Sequence, residues 1–204
     1  MQDLPPGARA APSTARNRQP ILDVLAPRLG IGAKVLEIAS GAGEHAIFVG
    51  QALPGVQWVP SDPDPEARAS IAAWIDHTGL GNVILPFDIS AEAPDRWPDG
   101  PFSAVVCINM VHISPWSATE GLMSGAARVL TEAGKLFLYG PYLEADVPAA
   151  PGNLAFDESL KSRNPAWGIR DLGEVAALAA THGLRLAERI EMPANNLTVV
   201  FERA

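Results

Sequence analysis

The chain has 204 residues, 48% of them hydrophobic, and a formal net charge of -8 at pH 7. That is enough apolar chain for one full core, while the acidic average surface repels a phosphate backbone, so the expected partner is a small molecule and not nucleic acid. A single cysteine excludes an internal disulfide and a cysteine-based metal site, and the lack of a spanning apolar run or a signal-like start predicts a cytoplasmic protein with no membrane partner and no metal.

Residues 1–15, MQDLPPGARAAPSTA, read as a flexible tail or a strap across the surface. Residues 16–204 read as one domain. QPILDVLAPRLG predicts a helix with Pro20 in its first turn and Gly30 as its stop. KVLEIAS is the first predicted strand, GEHAIFVGQAL a helix closed by Pro54-Gly55, and VQWVPSD the second strand. PEARASIAAWIDHTG follows as a helix, with Asp64 as its N-cap candidate. NVILPFDIS reads as the third strand. FSAVVCINMVH, apolar throughout, reads as a fourth covered on both faces. ATEGLMSGAARVLTEAG is a helix and KLFLYGPY the fifth strand. This alternation requires parallel strands with right-handed crossovers, an α/β class.

Residues 143–170 break the rhythm with prolines, glycines and the cluster NPAWGIRD. So long an irregular insertion, carrying Phe156 and Trp167, points to a functional segment such as a lid. DLGEVAALAATHG is a helix. LRLAERIEM and NLTVVFER, joined by PANN, lie too close in sequence to be parallel and predict an antiparallel hairpin at one sheet edge.

The stretch VLEIASGAGEH carries the chemistry. Gly41 and Gly43 let the chain turn sharply and let a ligand approach the backbone. The next helix offers free N–H groups and a positive dipole end. With Ala46, the two glycines satisfy a dinucleotide pattern, and Asp62 stands where an acid would hold a ribose. Three features favour another cofactor. Glu37 inside the strand repels a pyrophosphate but serves a cationic ligand or braces the turn. Asp88, at the end of the third strand, is placed to accept from an adenine amine. The chain also ends in a hairpin and not in a second mononucleotide half. S-adenosylmethionine, with a sulfonium, an ammonium, a ribose diol and an adenine amine but no phosphate, fits all three.

On VLEIASGAG the chain resembles the class I S-adenosylmethionine-dependent methyltransferases, departing from their acid and glycine-rich motif at Ala39, where the family has glycine. More narrowly, RNRQPILDVL, LEIASGAGEHA, SDPDP, INMVHISPWSATEGL, YGPY, FDESL, NPAWGIRD and EMPANNLTVVF are similar to a small methyltransferase-like family of bacteria and animals whose substrate is not assigned. The resemblance implies a Rossmann-like, seven-stranded sheet of order 3-2-1-4-5-7-6, strand 7 antiparallel, with helices on both faces. It places Glu37, Ala39, Ser40, Gly41 and Gly43 across the cofactor from Asn109, Met110 and His112. Asp62 is implied to hold the ribose, or else to cap a helix; Asp88 and Ile89 to flank the adenine, or else to form a turn.

Asn109 interrupts an apolar strand and is read as a binder of the methionine portion, with a structural amide as the alternative. Asn17 and His45 are assigned to the cofactor. Arg16 either clamps a carboxylate or is solvated. His112 is the candidate general base, or else a structural histidine. His77 and His182 read as surface residues beside helix stops. Trp116, Tyr142, Phe156 and Trp167 wall an acceptor pocket or pack the core. Asn153, Arg170, Asn195 and Asn196 supply polar acceptor contacts, the last two being equally turn formers. NMVHISPW replaces the Asn/Asp-Pro-Pro-aromatic motif of amino-directed nucleic-acid methylases. The resulting expectation is methyl transfer from S-adenosylmethionine to a small molecule, oxygen preferred, with S-adenosylhomocysteine as product, by a monomer or homodimer. The rivals are a non-catalytic cofactor-binding protein, an NAD-type oxidoreductase, and a protein or RNA methylase.

Overall fold

The structure, a computed structural model, describes residues 4–204; residues 1–3 of the expected tail lie outside the described residues. Its strands in chain order are β1 (Lys34–Ile38), β2 (Gln57–Pro60), β3 (Phe102–Ile108), β4 (Leu130–Gly140), β5 (Tyr142–Leu143), β6 (Arg170–Asp171), β7 (Leu184–Met192) and β8 (Asn196–Arg203). The helices are α1 (Thr14–Leu25), α2 (Glu44–Ala52), α3 (Pro65–Thr78), α4 (Trp116–Val129), α5 (Pro151–Arg163) and α6 (Leu172–Thr181).

Six strands form one sheet in the order β2-β1-β3-β4-β8-β7. The first four are mutually parallel, and β8 runs antiparallel to both β4 and β7. Alternate residues of the central strands enter two separate cores, as the two-residue strand period requires. Leu36, Ile38, Val105 and Leu138 meet Leu122 and Met123 of α4 and Val175 of α6. Val35, Val106 and Phe137 meet Ile21 and Leu25 of α1 and Ile47 of α2. Burial on both faces explains the unbroken apolar character of β3.

The expected third strand is not a regular strand. Segment 83–87 runs beside β2 but makes only two isolated parallel bridges, Trp58–Val83 and Ser61–Phe87. Pro60 and Pro86 lack the N–H groups that a continuous ladder needs, which leaves Ile84 N–H to Trp58 O, Phe87 N–H to Pro60 O and Asp62 N–H to Phe87 O as separate bonds. Counting this segment, the strand order is the expected one.

Two further expectations change. Helix α1 begins at Thr14, within the expected tail, so Pro20 lies inside the helix and the Arg16 carbonyl has no helical donor. The strap ahead of it is fastened to the domain: Arg9 N–H donates to Ser70 Oγ at 2.8 Å, the Trp74 indole donates to the Arg9 carbonyl at 3.1 Å, and Ala11 N–H donates to Glu44. The 143–170 insertion holds helix α5, with Pro151 at its start, and its two ends are joined by β5–β6 pairing. Among the described residues, no helix is long and apolar enough to cross a membrane.

Candidate functional site

Strand order reverses between β1 and β3, and the loops after these two strands lie at the carboxyl ends of the strands, the position where open α/β sheets take ligands. The first loop is the glycine turn. Ala39, Gly41 and Gly43 all have positive φ, at 56°, 57° and 89°. Gly43 also needs its missing side chain, because a Cβ there would meet Ile71 at 2.9 Å.

Glu37 anchors the turn from inside β1. It is 1% exposed. Its Oε2 accepts from the Trp58 indole at 3.0 Å and from Ser40 Oγ at 2.8 Å. Burial pushes its carboxyl pKa up; the two donors oppose that rise, and Asp62 adds to it. Ser61 completes the brace: its Oγ donates to the Glu37 carbonyl at 2.6 Å and its N–H to Ser40 Oγ at 3.1 Å. The turn's amides are largely committed. Ser40 N–H goes to the Ser61 carbonyl at 2.8 Å, Gly41 N–H to Asp62 Oδ2 at 2.9 Å, and Gly43 N–H to the Ser40 carbonyl at 3.1 Å. Asp62 Oδ1 accepts from Asp64 N–H at 2.9 Å, while Asp64 caps α3 by accepting from Glu66 N–H. A turn walled by two carboxylates, with three amides already donated, suits a cation better than a pyrophosphate.

Asn109 has positive φ, 63°, and donates its N–H to the Tyr139 carbonyl at 2.8 Å. Met110 and His112 follow on a short 3-10 turn and are buried. The His112 ring is 1% exposed, has no hydrogen-bond partner on either nitrogen, and meets Tyr142 edge-on with centroids 5.1 Å apart. Burial, with Arg170 nearby, lowers its pKa to about 3, so it is neutral at pH 7. The Tyr142 hydroxyl is likewise buried without a partner, and burial pushes its pKa up.

The remaining expected residues divide. Asn17 and His45 pair with each other, the His45 ring donating to Asn17 Oδ1 at 2.9 Å; burial lowers the His45 pKa to about 4. Ile89 is in the core. Asp88 is 71% exposed and pairs with Arg68 at 3.1 Å. Arg16 is exposed at the start of α1, beside the Tyr139 phenol. Arg170 is engaged by backbone, donating to the carbonyls of Val111, Ser114 and Ala166, and its guanidinium lies 5.7 Å from the Trp116 ring. Trp167 stacks instead under Arg163. Tyr142, Asn153 and Asn195 do come together, lining a cleft between the insertion and the β7–β8 hairpin. His77 lies in the last turn of α3, and His182 ends α6.

Trp58, Ser61 and Tyr139 escape the sequence reading. A buried carboxylate on β1 demands donors, and Trp58 on the neighbouring strand is one able to reach it; Ser61 donates to the Glu37 main-chain carbonyl, which no side-chain signal announces. Nothing in the pattern distinguishes Tyr139 from an ordinary core aromatic. Among the described residues, no group of three or more His, Cys, Asp or Glu is arranged to hold a metal ion.

Comparison with known proteins agrees with this fold. A tRNA (guanine-N(7)-)-methyltransferase of Rhodopseudomonas palustris (strain BisA53) is 28% identical over 87 residues, covering 43% of this chain and 34% of that protein. A release factor glutamine methyltransferase of Gloeobacter violaceus is 25% identical over 171 residues, covering 74% and 59%. The chain thus spans between about a third and three-fifths of these curated relatives' length. Among solved structures, the mitomycin 7-O-methyltransferase superposes with a TM-score of 0.77 at 21% identity, covering 93% of this chain and 55% of that one. A methyltransferase of calicheamicin biosynthesis, in its SAH-bound form, gives 0.75 at 16% identity, covering 94% and 55%. The fold is the Rossmann-like fold of class I methyltransferases, and since residues 8–203 match the family described as a protein of unknown function (DUF938), the chain belongs to that family.

Proposed function

We propose that the protein transfers a methyl group from S-adenosylmethionine to a small-molecule acceptor, oxygen being the preferred target. The single observation that carries this is the Gly41 amide donated to Asp62, on a turn that Glu37 braces from below. A pyrophosphate needs such amides free and would face two carboxylates. A sulfonium and an ammonium find complementary charge there, and Asp62 keeps lone pairs for a ribose diol. When bound, that cofactor supplies an electrophilic methyl group and leaves as S-adenosylhomocysteine.

Glu37 holds the turn in shape and sets a negative field at its base. Asn109 presents a carboxamide from the opposite loop. His112, kept neutral by burial, offers an unpaired ring nitrogen that accepts a hydrogen bond from an acceptor's hydroxyl and orients it; it becomes a useful base only where opening of the site restores solvent to the ring. Its enclosure requires the 143–170 segment to move for an acceptor to reach it; the present contact is Gly168 N–H to the His112 carbonyl at 3.0 Å. The small-molecule reading draws on the -8 net charge and on the O-methyltransferases that share the fold, against the tRNA-directed relative. Calorimetry with S-adenosylmethionine, S-adenosylhomocysteine and NAD tests the reading: tight binding of the first two alone supports it, and NAD binding in their place refutes it.

A further inference from the structure

A cleft of about 260 Å³ lies between the start of the insertion and the end of the β7–β8 hairpin. Tyr142 and Met192 give it an apolar floor and wall, and Tyr142 is also the ring against which His112 stands, 5.1 Å between centroids. One ring, Tyr142, thus lines the cleft on one side and meets His112 on the other. Two fastenings cross it. Arg189 grips Glu144 bidentately, Nε to Oε2 at 2.7 Å and Nη2 to Oε1 at 2.8 Å, and Asn153 Nδ2 donates to the Asn195 carbonyl at 3.1 Å.

The charge in this cleft is the informative feature. Its charged lining residues are Glu144, Arg189 and Glu191. Arg189 directs three of its donors to the two glutamates, the third from Nη1 to Glu191 at 3.2 Å. The guanidinium is thereby spoken for, and one carboxylate's worth of negative charge is left over. The excess is most accessible at the rim, where Glu191, 84% exposed, is held by a single contact to Arg189 while Glu144 is held by two. The carboxamide oxygen of Asn153 adds an acceptor of the kind a hydroxyl or ammonium requires.

We propose that this cleft is the acceptor site of the methyltransferase read above, and that it selects small neutral or cationic molecules over anionic ones. The inference rests on that reading for the word acceptor; the selectivity rests on Glu144, Arg189 and Glu191. The volume suits a molecule built on one small ring, being below that of a drug-sized pocket. A phosphate-bearing partner such as tRNA would meet the same net negative charge.

The test uses three ring compounds of matched size that differ in charge: p-hydroxybenzamide, tyramine and p-hydroxybenzoate. Each is titrated by ligand-observed NMR into the full chain, with and without S-adenosylhomocysteine. The amide and the amine should bind about fivefold tighter than the benzoate, or better. Glu191→Lys, an exposed change that spares the fold, should remove or reverse that order. Ala149→Trp, which fills the cleft from a loop, should abolish binding. Benzoate binding as tight as the others overturns the proposal; so does an order unchanged in E191K, binding that survives A149W, or no binding by any probe. Cofactor calorimetry is read separately. Cofactor binding with a failed charge order overturns the cleft alone. A charge order without cofactor binding overturns the methyltransferase reading, and with it the acceptor role.

Discussion

Gly140, the last residue of β4, is glycine because the His112 imidazole occupies the space a side chain would take: a Cβ there would stand 2.1 Å from His112 Nε2 and 2.6 Å from its Cδ2. The loop after β3 and the last residue of the neighbouring strand β4 are thus fitted to one another. Gly140→Ala should displace the ring and cost about 1–3 kcal/mol of stability, as overpacking does. Thermal unfolding, with the His112 ring resonances followed by NMR, reads both effects. An alanine variant of wild-type stability with an unmoved ring would contradict the fit.

Burial of His112 makes a pH prediction. The folded protein holds this ring neutral down to about pH 3, whereas the unfolded chain protonates it near 6.5. Unfolding takes up a proton in between, so the stability this ring contributes is present above pH 6.5 and is lost as pH falls toward 3. His112→Gln should lose less stability across that window than wild type, by on the order of a few kcal/mol. Denaturant unfolding at stepped pH values measures the difference, and parallel curves would refute the assignment.

Ala39 occupies a left-handed position, φ 56°, between β1 and the turn. A Cβ in that conformation is strained by about 1–2 kcal/mol, less the flexibility glycine adds to the unfolded chain. Ala39→Gly should therefore stabilise the protein by about 1 kcal/mol. A lowered melting temperature in A39G would mean that the alanine methyl packs usefully there.

Glu37 separates stability from binding. Its carboxylate is desolvated and its pKa raised, so Glu37→Gln keeps an oxygen for Trp58 and Ser40 while removing a costly charge. Stability should stay within about 1 kcal/mol of wild type, while affinity for the cationic cofactor falls by about tenfold or more. Unchanged affinity in E37Q would reduce Glu37 to a brace.

Much of this was legible from the residues. Glu37, Gly41, Gly43 and Asp62 stand out because a charged residue inside an apolar strand and glycines after it have few structural reasons to be there. The hairpin followed from loop length alone. What was not legible has physical causes. The segment ending at Asp88 has strand composition, yet Pro60 and Pro86 prevent a regular ladder, and Asp88 turns out to pair with Arg68 at the surface. Helix α5 was hidden because it buries only Leu160, so no apolar stripe marks it. Arg170 read as a polar contact for an acceptor, but its donors go to the carbonyls of Val111 and Ser114, which tie the insertion to the loop after β3, and to that of Ala166 within the insertion. Backbone partners of that kind leave no trace in side-chain chemistry.

We propose that the glycine turn holds S-adenosylmethionine, with Asp62 joining turn and ribose. The most direct measurement is calorimetric titration of S-adenosylmethionine and S-adenosylhomocysteine into wild type and Asp62→Ala, with NAD as control and a melting curve for each protein. Tight binding of both sulfur compounds to wild type, no response to NAD, and loss of binding in a folded D62A protein is the predicted result. Binding of NAD alone would contradict the cofactor, and sulfur-compound binding that D62A leaves intact would contradict the role of Asp62.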